Sequence, residues 1–297
     1  MPRRSAGIAS TMSVAIISDS AATLPREVVD DSRVSIVPMS VTIDGATEPE
    51  GARPLELVAS ATDVSTAAPT PGDYDVAIQH ALETADRALV LTVASTMSAS
   101  HASALIAARP YGDRVHVVDT STAAGGEGLA VVAAADAAAQ DASLADTEAA
   151  ALRVCDRVRL IAALRSFEQL ARSGRVPEVA EWARRRLRVV PVFEFVDGKA
   201  RPRRPALSWE AALDRITGAV IASARATHAT RATDGAGLHI AAMHASAVDA
   251  ADQLLTPLRE RFPAARGYVG AFGTVMVAHT GTGLAGLAWY WDAERAA

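Results

Sequence analysis

Residues 88–122 read ALVLTVASTMSASHASALIAARPYGDRVHVVDTST, and this stretch determines the fold class. It contains an apolar run, Ala88–Val93, a hydroxyl-rich segment, a helical pattern over Ser98–Ala108 and a second apolar run, Val115–Val118. Apolar runs of strand length that alternate with helical segments are typical of parallel βαβ units. The stretch therefore predicts strand, helix and strand, with polar loops at the carboxyl ends of both strands.

The same alternation extends through the first half of the chain. The predicted elements are strands at 14–18 and 34–43, a helix capped by Thr70 and a helix over 128–140. Pro38 interrupts the second strand, and the turn signal Asp44-Gly45 closes it. Thr70 is followed by Pro71 in the first turn and by Asp73 at the third position, which is typical of a helix start. We therefore expect a parallel sheet.

The second half mixes hairpins with helices. The predicted elements are a capping box at 166–169, a helix over 177–187, a hairpin turning at 197–198, helices over 208–224 and 246–262, and strands at 238–243, 269–271, 275–279 and 284–291. This mixture predicts an α+β domain with antiparallel strands over residues 161–297, after a parallel-sheet α/β domain over residues 12–160. Since no Pro/Gly/Ser-rich linker separates them, we expect the domains to pack tightly or to exchange a segment, around residues 60–85.

Composition excludes several classes of protein. The net charge is −5 and aromatic residues make up 4% of the chain, which argues against nucleic acid as a partner. No apolar run approaches the roughly 20 residues that span a bilayer. Met1–Thr11 lacks the apolar core of a signal peptide. With a single cysteine, Cys155, we expect a cytoplasmic protein without disulfides.

The chain lacks several sequence motifs for catalysis and metal binding, and its one match to a cofactor motif is not followed by the secondary structure that the motif requires. The chain has neither a P-loop nor a G-x-S-x-G elbow, and its histidines have no metal-ligand spacing. Gly281–Gly286 fits the dinucleotide pattern G-x-G-x-x-G, but only eleven residues follow it, too few for the required helix and strand. We interpret these glycines as a turn between two antiparallel strands. We expect no cofactor and no metal.

His279 and the arginine clusters each leave two interpretations open. His279 ends a predicted strand and begins a Thr-Gly-Thr-Gly turn, so it either contacts a ligand or bonds its own turn. The clusters Arg184–Arg188 and Arg201–Arg204 are either solvated surface or a docking surface for a protein partner or an anionic lipid.

A series of short motifs follows in a fixed order along the chain. They are Asp19-Ser20, Thr66–Thr70, Ser98–His101, Val118–Thr120 with Gly126 and Gly128, Ser173–Val176, Val190-Pro191 with Asp197-Gly198, and His279–Gly283. In order and spacing they resemble the motifs of the DegV family of fatty-acid-binding proteins. The resemblance covers nearly the whole chain, from about Val14 to Trp291.

The resemblance implies two α/β domains with a long-chain fatty acid in an apolar tunnel between them. Its carboxylate would be held by Thr66 and Ser98, with His279 nearby and Arg175 as a weaker candidate. The supporting loop residues are Asp19, Ser20, Asp119, Thr280 and Gly281. Ala67, Ala68 and Ala99 replace polar or glycine residues of the family motifs, so chain length and saturation stay open.

The resemblance also implies a partner. Some members hand the fatty acid to a separate fatty acid kinase, which phosphorylates the carboxylate for phospholipid synthesis. This chain would then be a carrier subunit and not an enzyme, with at most a transient contact with a membrane surface. Two alternatives stay open. One is an enzyme acting on a small carboxylated or phosphorylated metabolite, with His279 as acid or base beside Asp19 or Asp119, and the other is a degenerate regulatory binding module.

Overall fold

The computed structural model describes residues 13–31, 33–61, 63–165, 189–225 and 234–292. Within these ranges the secondary structure is mixed α/β. The strands are β1 (Val14–Asp19), β2 (Val34–Val37), β3 (Ser40–Ile43), β4 (Ala46–Pro49), β5 (Val64–Ala67), β6 (Arg87–Thr92), β7 (Val115–Asp119), β8 (Arg159–Ala163), β9 (Val192–Val196), β10 (Lys199–Pro202), β11 (Leu238–His244), β12 (Arg266–Ala271) and β13 (Ala285–Trp291). The predicted capping box at 166–169 and helix over 177–187 lie outside the described residues.

Helices connect most of these strands. They are α1 (Arg26–Val29), α2 (Leu55–Ser60), α3 (Pro71–Thr84), α4 (Ser100–Ala108), α5 (Gly125–Ala138), α6 (Leu144–Cys155), α7 (Trp209–Ala224), α8 (Val248–Arg261) and α9 (Thr274–Thr280), with a short 3-10 helix over Arg109–Arg114. The start of α3 is as predicted. The Thr70 hydroxyl accepts a bond from the Asp73 N–H at 3.2 Å, and the Asp73 carboxylate accepts one from the Thr70 N–H at 2.7 Å.

Four parallel strands form the first sheet, in the order β2-β1-β6-β7. β1 is buried at every position, and β6 at every position after its first. Strands buried on both faces are characteristic of parallel sheets covered by helices. Tyr74 of α3 and Ala104 of α4 belong to a buried cluster with Ile17 and Val90 on one face, and α5 and α6 pack on the other. The predicted parallel sheet is confirmed.

The stretch 34–43 is two strands and not the single one we predicted. β2 joins the parallel sheet, whereas β3 belongs to a three-stranded antiparallel sheet in the order β4-β3-β5. The break falls at Pro38, which has no N–H to donate to a ladder. The predicted turn at Asp44-Gly45 is confirmed, since both residues have positive φ and join β3 to β4.

The largest sheet has six strands in the order β10-β9-β8-β13-β11-β12. All neighbours are antiparallel except β11 and β12. The predicted hairpin is confirmed, with Asp197 and Gly198 at positive φ between β9 and β10. α7 and α8 cover one face of this sheet, while α5 packs against the other and also against the parallel sheet. The two sheets are thereby joined through α5.

The predicted strand at 275–279 is wrong, because these residues form α9. Its β-branched residues favour a strand, but α9 packs on α2, β3 and β5 and buries Val275 and Val277. At its N-terminal end, the Val275 N–H donates to the Glu50 carboxylate at 2.8 Å. The glycines after His279 accordingly connect a helix to β13, and they are not a turn between two strands.

The fold class agrees with the expectation of a parallel-sheet α/β part followed by a part with antiparallel strands. The domain limits, 12–160 and 161–297, and the exchange of a segment around 60–85 stay predictions. β8 is the first strand in chain order that belongs to the six-stranded sheet. Among the described helices, none combines the length and the apolar character of a membrane span.

Candidate functional site

A cavity of about 320 Å³ lies between the carboxyl ends of the parallel strands and one face of the six-stranded sheet. The loops after β1, β6 and β7 contribute Ala21, Val93 and Ala123 to its lining. The carboxyl ends of parallel strands are where ligands bind in open α/β sheets. Its volume is at the lower end of the range of roughly 300–1,000 Å³ for ligand pockets. We call it the central cavity.

The walls of the central cavity are apolar and adaptable. They include Ala21, Ala67, Ala68, Ala99, Ala123, Ala124, Ala162, Ala200, Phe193, Phe195, Phe272 and every methionine of the described residues, Met39, Met97, Met243 and Met276. Alanines leave space for a ligand, and methionines adapt their shape because the side chain is unbranched and flexible. Such walls suit a flexible hydrocarbon chain.

One part of the central cavity is polar. Thr66 of β5 and His279 at the end of α9 lie side by side, with the Thr66 Oγ1 2.9 Å from the His279 Nε2. Ser98 lines the same cavity and has its Oγ 3.0 Å from the Ser100 Oγ. All three residues are half-buried. The structure therefore brings the three predicted carboxylate-binding residues to one cavity, although their role in binding stays a prediction.

Asp19 and Asp119 hold loops together and do not line the central cavity. The buried Asp19 carboxylate accepts from the Ala21 N–H and from the Val93 N–H, both at 3.0 Å, which joins the loops after β1 and β6. Asp119 accepts from the Ser121 N–H at 2.8 Å and from the Ser95 N–H at 3.3 Å. The enzyme alternative needs one of these carboxylates in the cavity with His279, and neither lines it. No group of three His, Cys, Asp or Glu within the described ranges has metal-binding geometry.

The other supporting residues position parts of the wall. The Ser20 Oγ accepts from the Met39 N–H at 2.9 Å, which places Met39 in the lining. The Thr280 hydroxyl lies 2.9 Å from the Met276 carbonyl within α9. Gly281 ends α9 with φ 73°, a conformation that favours glycine. Thr280 and Gly281 thus fix where the helix ends, and hence where His279 lies.

Two contacts that the sequence analysis did not predict connect segments around the central cavity. Half-buried Glu50 accepts a bond from the first turn of α9, as described above, and the burial of its carboxyl raises the pKa of this group. The Thr96 hydroxyl donates to the Gly198 carbonyl, which ties the loop after β6 to the tip of the β9–β10 hairpin. In both cases the partners are far apart in the sequence, and no local motif marks them.

Some predicted site residues cannot be placed. Arg175 and the run Arg184–Arg188 lie outside the described residues. In the second basic cluster, Arg203 pairs with Glu194 at 2.5 Å and Arg201 with Asp197 at 3.4 Å. Part of this cluster is therefore paired within the β9–β10 hairpin, as expected of a solvated surface.

A pair of carboxyl groups is buried behind the loops of the site. Glu127, in the first turn of α5, accepts a bond from the Ser18 hydroxyl at 3.2 Å, and its other oxygen has no partner within the described chain. Burial, followed by the nearby Asp19 carboxylate, raises the pKa of Glu127 well above its usual range. Burial also raises the pKa of Asp19, but two backbone N–H groups favour its ionised form. We therefore assign the proton of the pair to Glu127.

This assignment predicts a pH-dependent effect of Glu127→Gln. Above about pH 4.3 the unfolded chain releases the proton that the folded protein keeps, so this carboxyl lowers stability as the pH rises. Glutamine does not titrate and can keep the bond to Ser18. The free energy of unfolding of the variant, relative to wild type, should rise by up to about 1.4 kcal/mol per pH unit. Urea unfolding at several pH values measures it, with exposed Glu83→Gln as control, and a constant difference would contradict the assignment.

Solved structures share this fold over almost the whole chain. A DegV family protein from Thermus thermophilus, studied for fatty acid binding, has a TM-score of 0.83 and 25% identity, and the match covers 95% of this chain and 100% of that one. The fatty acid kinase (Fak) B3 protein of Streptococcus pneumoniae, solved loaded with linoleic acid, has a TM-score of 0.79 and 20% identity, with 95% and 100% covered. At 20% identity the second likeness concerns the fold alone.

Sequence comparisons agree with the structural ones. A DegV domain-containing protein of Streptomyces coelicolor is 29% identical over 281 residues, which cover 92% of this chain and 97% of that protein. The family model described as "Uncharacterised protein, DegV family" matches residues 13–292. The match includes every described element and the central cavity.

Proposed function

This chain is a member of the DegV family, and we propose that it binds a long-chain fatty acid in the central cavity. The carboxylate lies at Thr66, Ser98 and His279, and the acyl chain lies along the alanines, methionines and phenylalanines of the wall. The observation that carries the proposal is the juxtaposition of the Thr66–His279 pair with a mostly apolar cavity.

The energetics of such a site are favourable. Each buried methylene contributes about 0.8 kcal/mol, so a long acyl chain supplies most of the affinity. A carboxylate that leaves water needs hydrogen-bond donors in return, and two hydroxyls and an imidazole can provide them. Among the described residues that line the cavity, His279 is the only titratable one. The site is thus equipped to bind a carboxylate but offers few groups for chemistry on it.

The finer proposal is that the protein is a carrier that presents the carboxylate to a separate fatty acid kinase for phospholipid synthesis. Two features support it. Thr66, Ser98 and His279 are half-buried, so a carboxylate held there lies near the surface. The chain also shares its fold with the Fak B3 protein. The cytoplasmic location and the transient membrane contact expected from the sequence stay predictions.

The rival functions make different demands on the site. An enzyme that uses His279 with Asp19 or Asp119 needs that aspartate in the cavity, but both accept bonds from backbone N–H groups and neither lines the cavity. A regulatory binding module would bind the fatty acid without passing it to a kinase. The assays described next distinguish the enzyme and the regulatory module from a carrier.

Native mass spectrometry of the purified protein tests binding. We expect a co-purifying mass of a fatty acid, or uptake of one when it is added. With ATP, the protein alone should form no acyl-phosphate, and product should appear only when a fatty acid kinase is supplied. Lipid-free protein that takes up no fatty acid would refute the proposal, and acyl-phosphate formed by this chain alone would show an enzyme.

Ser98→Ala should weaken fatty-acid binding by about 1–3 kcal/mol, because the carboxylate loses one hydroxyl donor. The double variant with Thr66→Ala should bind more weakly still. Titration calorimetry measures both. Ser95→Ala is the matched control, since Ser95 is exposed in the same loop and does not line the cavity. An unchanged Kd in the double variant would mean that the carboxylate binds elsewhere.

A further inference from the structure

One short helix, α9, forms part of the wall of the central cavity. Four of its seven residues line the cavity, namely Val275, Met276, His279 and Thr280. They are spaced i, i+1, i+4 and i+5, so one side of the helix faces the cavity. An isolated helix of this length is not stable in water, because too few hydrogen bonds compensate for the cost of nucleation. The place of His279 therefore depends on contacts that hold α9 from outside.

The first turn of α9 has no cap of its own. Its N-cap residue is Gly273, which has no side chain and makes no side-chain capping bond. An N-cap side chain normally accepts a hydrogen bond from the N–H of the second or third helical residue. Here the Glu50 Oε1 accepts that bond, at 2.8 Å from the nitrogen of Val275, the second residue of α9. Glu50 thus caps the helix from a position 225 residues away in the sequence.

The space beside Gly273 is filled by the Glu50 side chain. A Cβ on Gly273 would collide with the Glu50 carboxyl group, and the three atoms nearest to this Cβ all belong to that side chain. Gly273 has φ −76° and ψ −178°, an extended conformation that any residue adopts. Glycine is therefore needed here for space and not for its backbone freedom. A local cap at position 273 and the cap from Glu50 exclude each other.

The loop that carries Glu50 makes further bonds around the site. The Gly51 N–H donates to the hydroxyl of Thr274, the first residue of α9, at 3.3 Å. The Glu50 N–H donates to the carbonyl of Met39 at 2.8 Å, and Met39 lines the central cavity. Glu50 itself does not line the cavity. Its effect on a ligand must therefore pass through the segments that it bonds.

We infer that Glu50 is a positioning residue of the candidate site, which holds α9 so that His279 reaches the ligand beside Thr66. The inference deepens the proposed function and rests on it. Without Glu50 the first turn of α9 loses its cap, and the Val275 N–H is left without an acceptor. The helix then frays from its first turn, which disorders one part of the wall and releases His279 from its place.

Variants at positions 50 and 273 test the inference, with palmitic and oleic acid as the probes. Glu50→Ala should raise the Kd by about two- to thirtyfold, the factor that corresponds to the loss of a helix cap. Glu50→Gln keeps an oxygen that can accept the bond from Val275, so its Kd should stay close to that of the wild type.

A local cap should replace the distant one. In the double variant Glu50→Ala/Gly273→Asp, the aspartate has the space that Glu50 leaves and can accept a bond from the first turn of α9. This variant should regain most of the affinity that Glu50→Ala loses. Gly273→Asp alone puts two carboxyl groups into one space, so it should bind more weakly than the double variant.

Ser143→Ala is the matched control for the loss of a cap. The Ser143 hydroxyl caps α6 by accepting a bond from the Asp146 N–H at 3.2 Å, and no residue of α6 lines the central cavity. The control variant thus loses a helix cap without disturbing the wall. Its unfolding midpoint should fall, as that of Glu50→Ala does, while its Kd stays that of the wild type.

The imidazole of His279 supplies a measurement that needs no ligand. In a proton–carbon NMR spectrum of the delipidated protein, its signal is identified by its loss in His279→Gln. The signal should shift in Glu50→Ala, because His279 is no longer held beside Thr66. It should return toward its wild-type position in Glu50→Gln and in the double variant, and it should not move in Ser143→Ala.

The outcomes separate the inference from the proposed function. A raised Kd and a shifted His279 signal in Glu50→Ala, both restored in the double variant, support the inference. A folded Glu50→Ala protein with the wild-type Kd and an unmoved signal overturns it. An equal rise of the Kd in Ser143→Ala also overturns it, since the cause would be a general loss of stability. A wild-type protein that binds neither acid contradicts the proposed function, while the His279 signal still decides whether Glu50 positions α9.

Discussion

Asp19→Ala should lower the free energy of unfolding by about 3–6 kcal/mol, since hydrogen bonds to a charged group contribute about 1.5–3 kcal/mol each. The Asp19 side chain is fully buried and accepts two backbone bonds, from Ala21 and Val93. Alanine would leave both N–H groups without a partner where water does not reach them. A loss of this size is a large part of the roughly 5–15 kcal/mol that stabilises a typical domain. Chemical unfolding followed by circular dichroism measures it.

Asp119→Ala is the matched control for this prediction. Asp119 also accepts bonds from two backbone N–H groups in loops after parallel strands, but it is half-buried. Water can replace part of its contribution, so we expect a loss of about 1 kcal/mol. Equal losses in the two variants would mean that burial does not decide the effect. An unchanged unfolding midpoint for Asp19→Ala would contradict the prediction.

Asp19→Ala should also affect the candidate site, because Ala21 and Val93 both line the central cavity. If the loops after β1 and β6 separate, the wall between them loosens and fatty-acid binding weakens. Asp19 would then act on binding through the loops that it holds, and not by touching the ligand. The sequence analysis named Asp19 as a loop residue, and the structure supplies the bonds through which it acts.

Those parts of the fold that depend on local signals could be predicted from the sequence. Thr70 and Asp73 satisfy each other within one turn, and the turns at Asp44-Gly45 and Asp197-Gly198 need only residues that tolerate positive φ. The stretch at 275–279 could not be predicted in this way. Its residues favour a strand, but it forms a helix that packs against α2 and whose Val275 N–H donates to distant Glu50.

In the candidate site, too, only the residues that are marked by a local pattern or a family motif could be predicted. A hydroxyl-rich loop after β6 could be placed at the sheet end from the βαβ pattern alone, which located Ser98. The partnership of Thr66 with His279 joins residues 213 positions apart, and only the family motifs brought them together before the structure did. No motif marks the Ser18–Glu127 bond or the Thr96–Gly198 bond, because each depends on long-range packing.

His279→Ala should weaken fatty-acid binding by about 1.5–3 kcal/mol, the contribution of a hydrogen bond to a charged group. It combines two losses, since the carboxylate loses a donor and Thr66 loses the group that lies 2.9 Å from its hydroxyl. Calorimetry should show a Kd at least about tenfold higher. His101→Ala is the matched control, because His101 also lies beside a threonine hydroxyl, that of Thr92 at 3.3 Å, but does not line the central cavity.

His279→Gln separates binding from catalysis at this position. A glutamine amide can donate a hydrogen bond to a carboxylate, so in a carrier this variant should retain part of the affinity that His279→Ala loses. An enzyme that uses His279 as acid or base would lose turnover equally with glutamine and with alanine, since a side-chain amide cannot serve as a general acid or base at neutral pH. If His279→Gln binds as weakly as His279→Ala while His101→Ala binds like wild type, hydrogen bonding to the carboxylate is not what His279 does. If it binds with intermediate affinity and still delivers its fatty acid to an added kinase, the residue serves to hold the ligand, as the carrier requires.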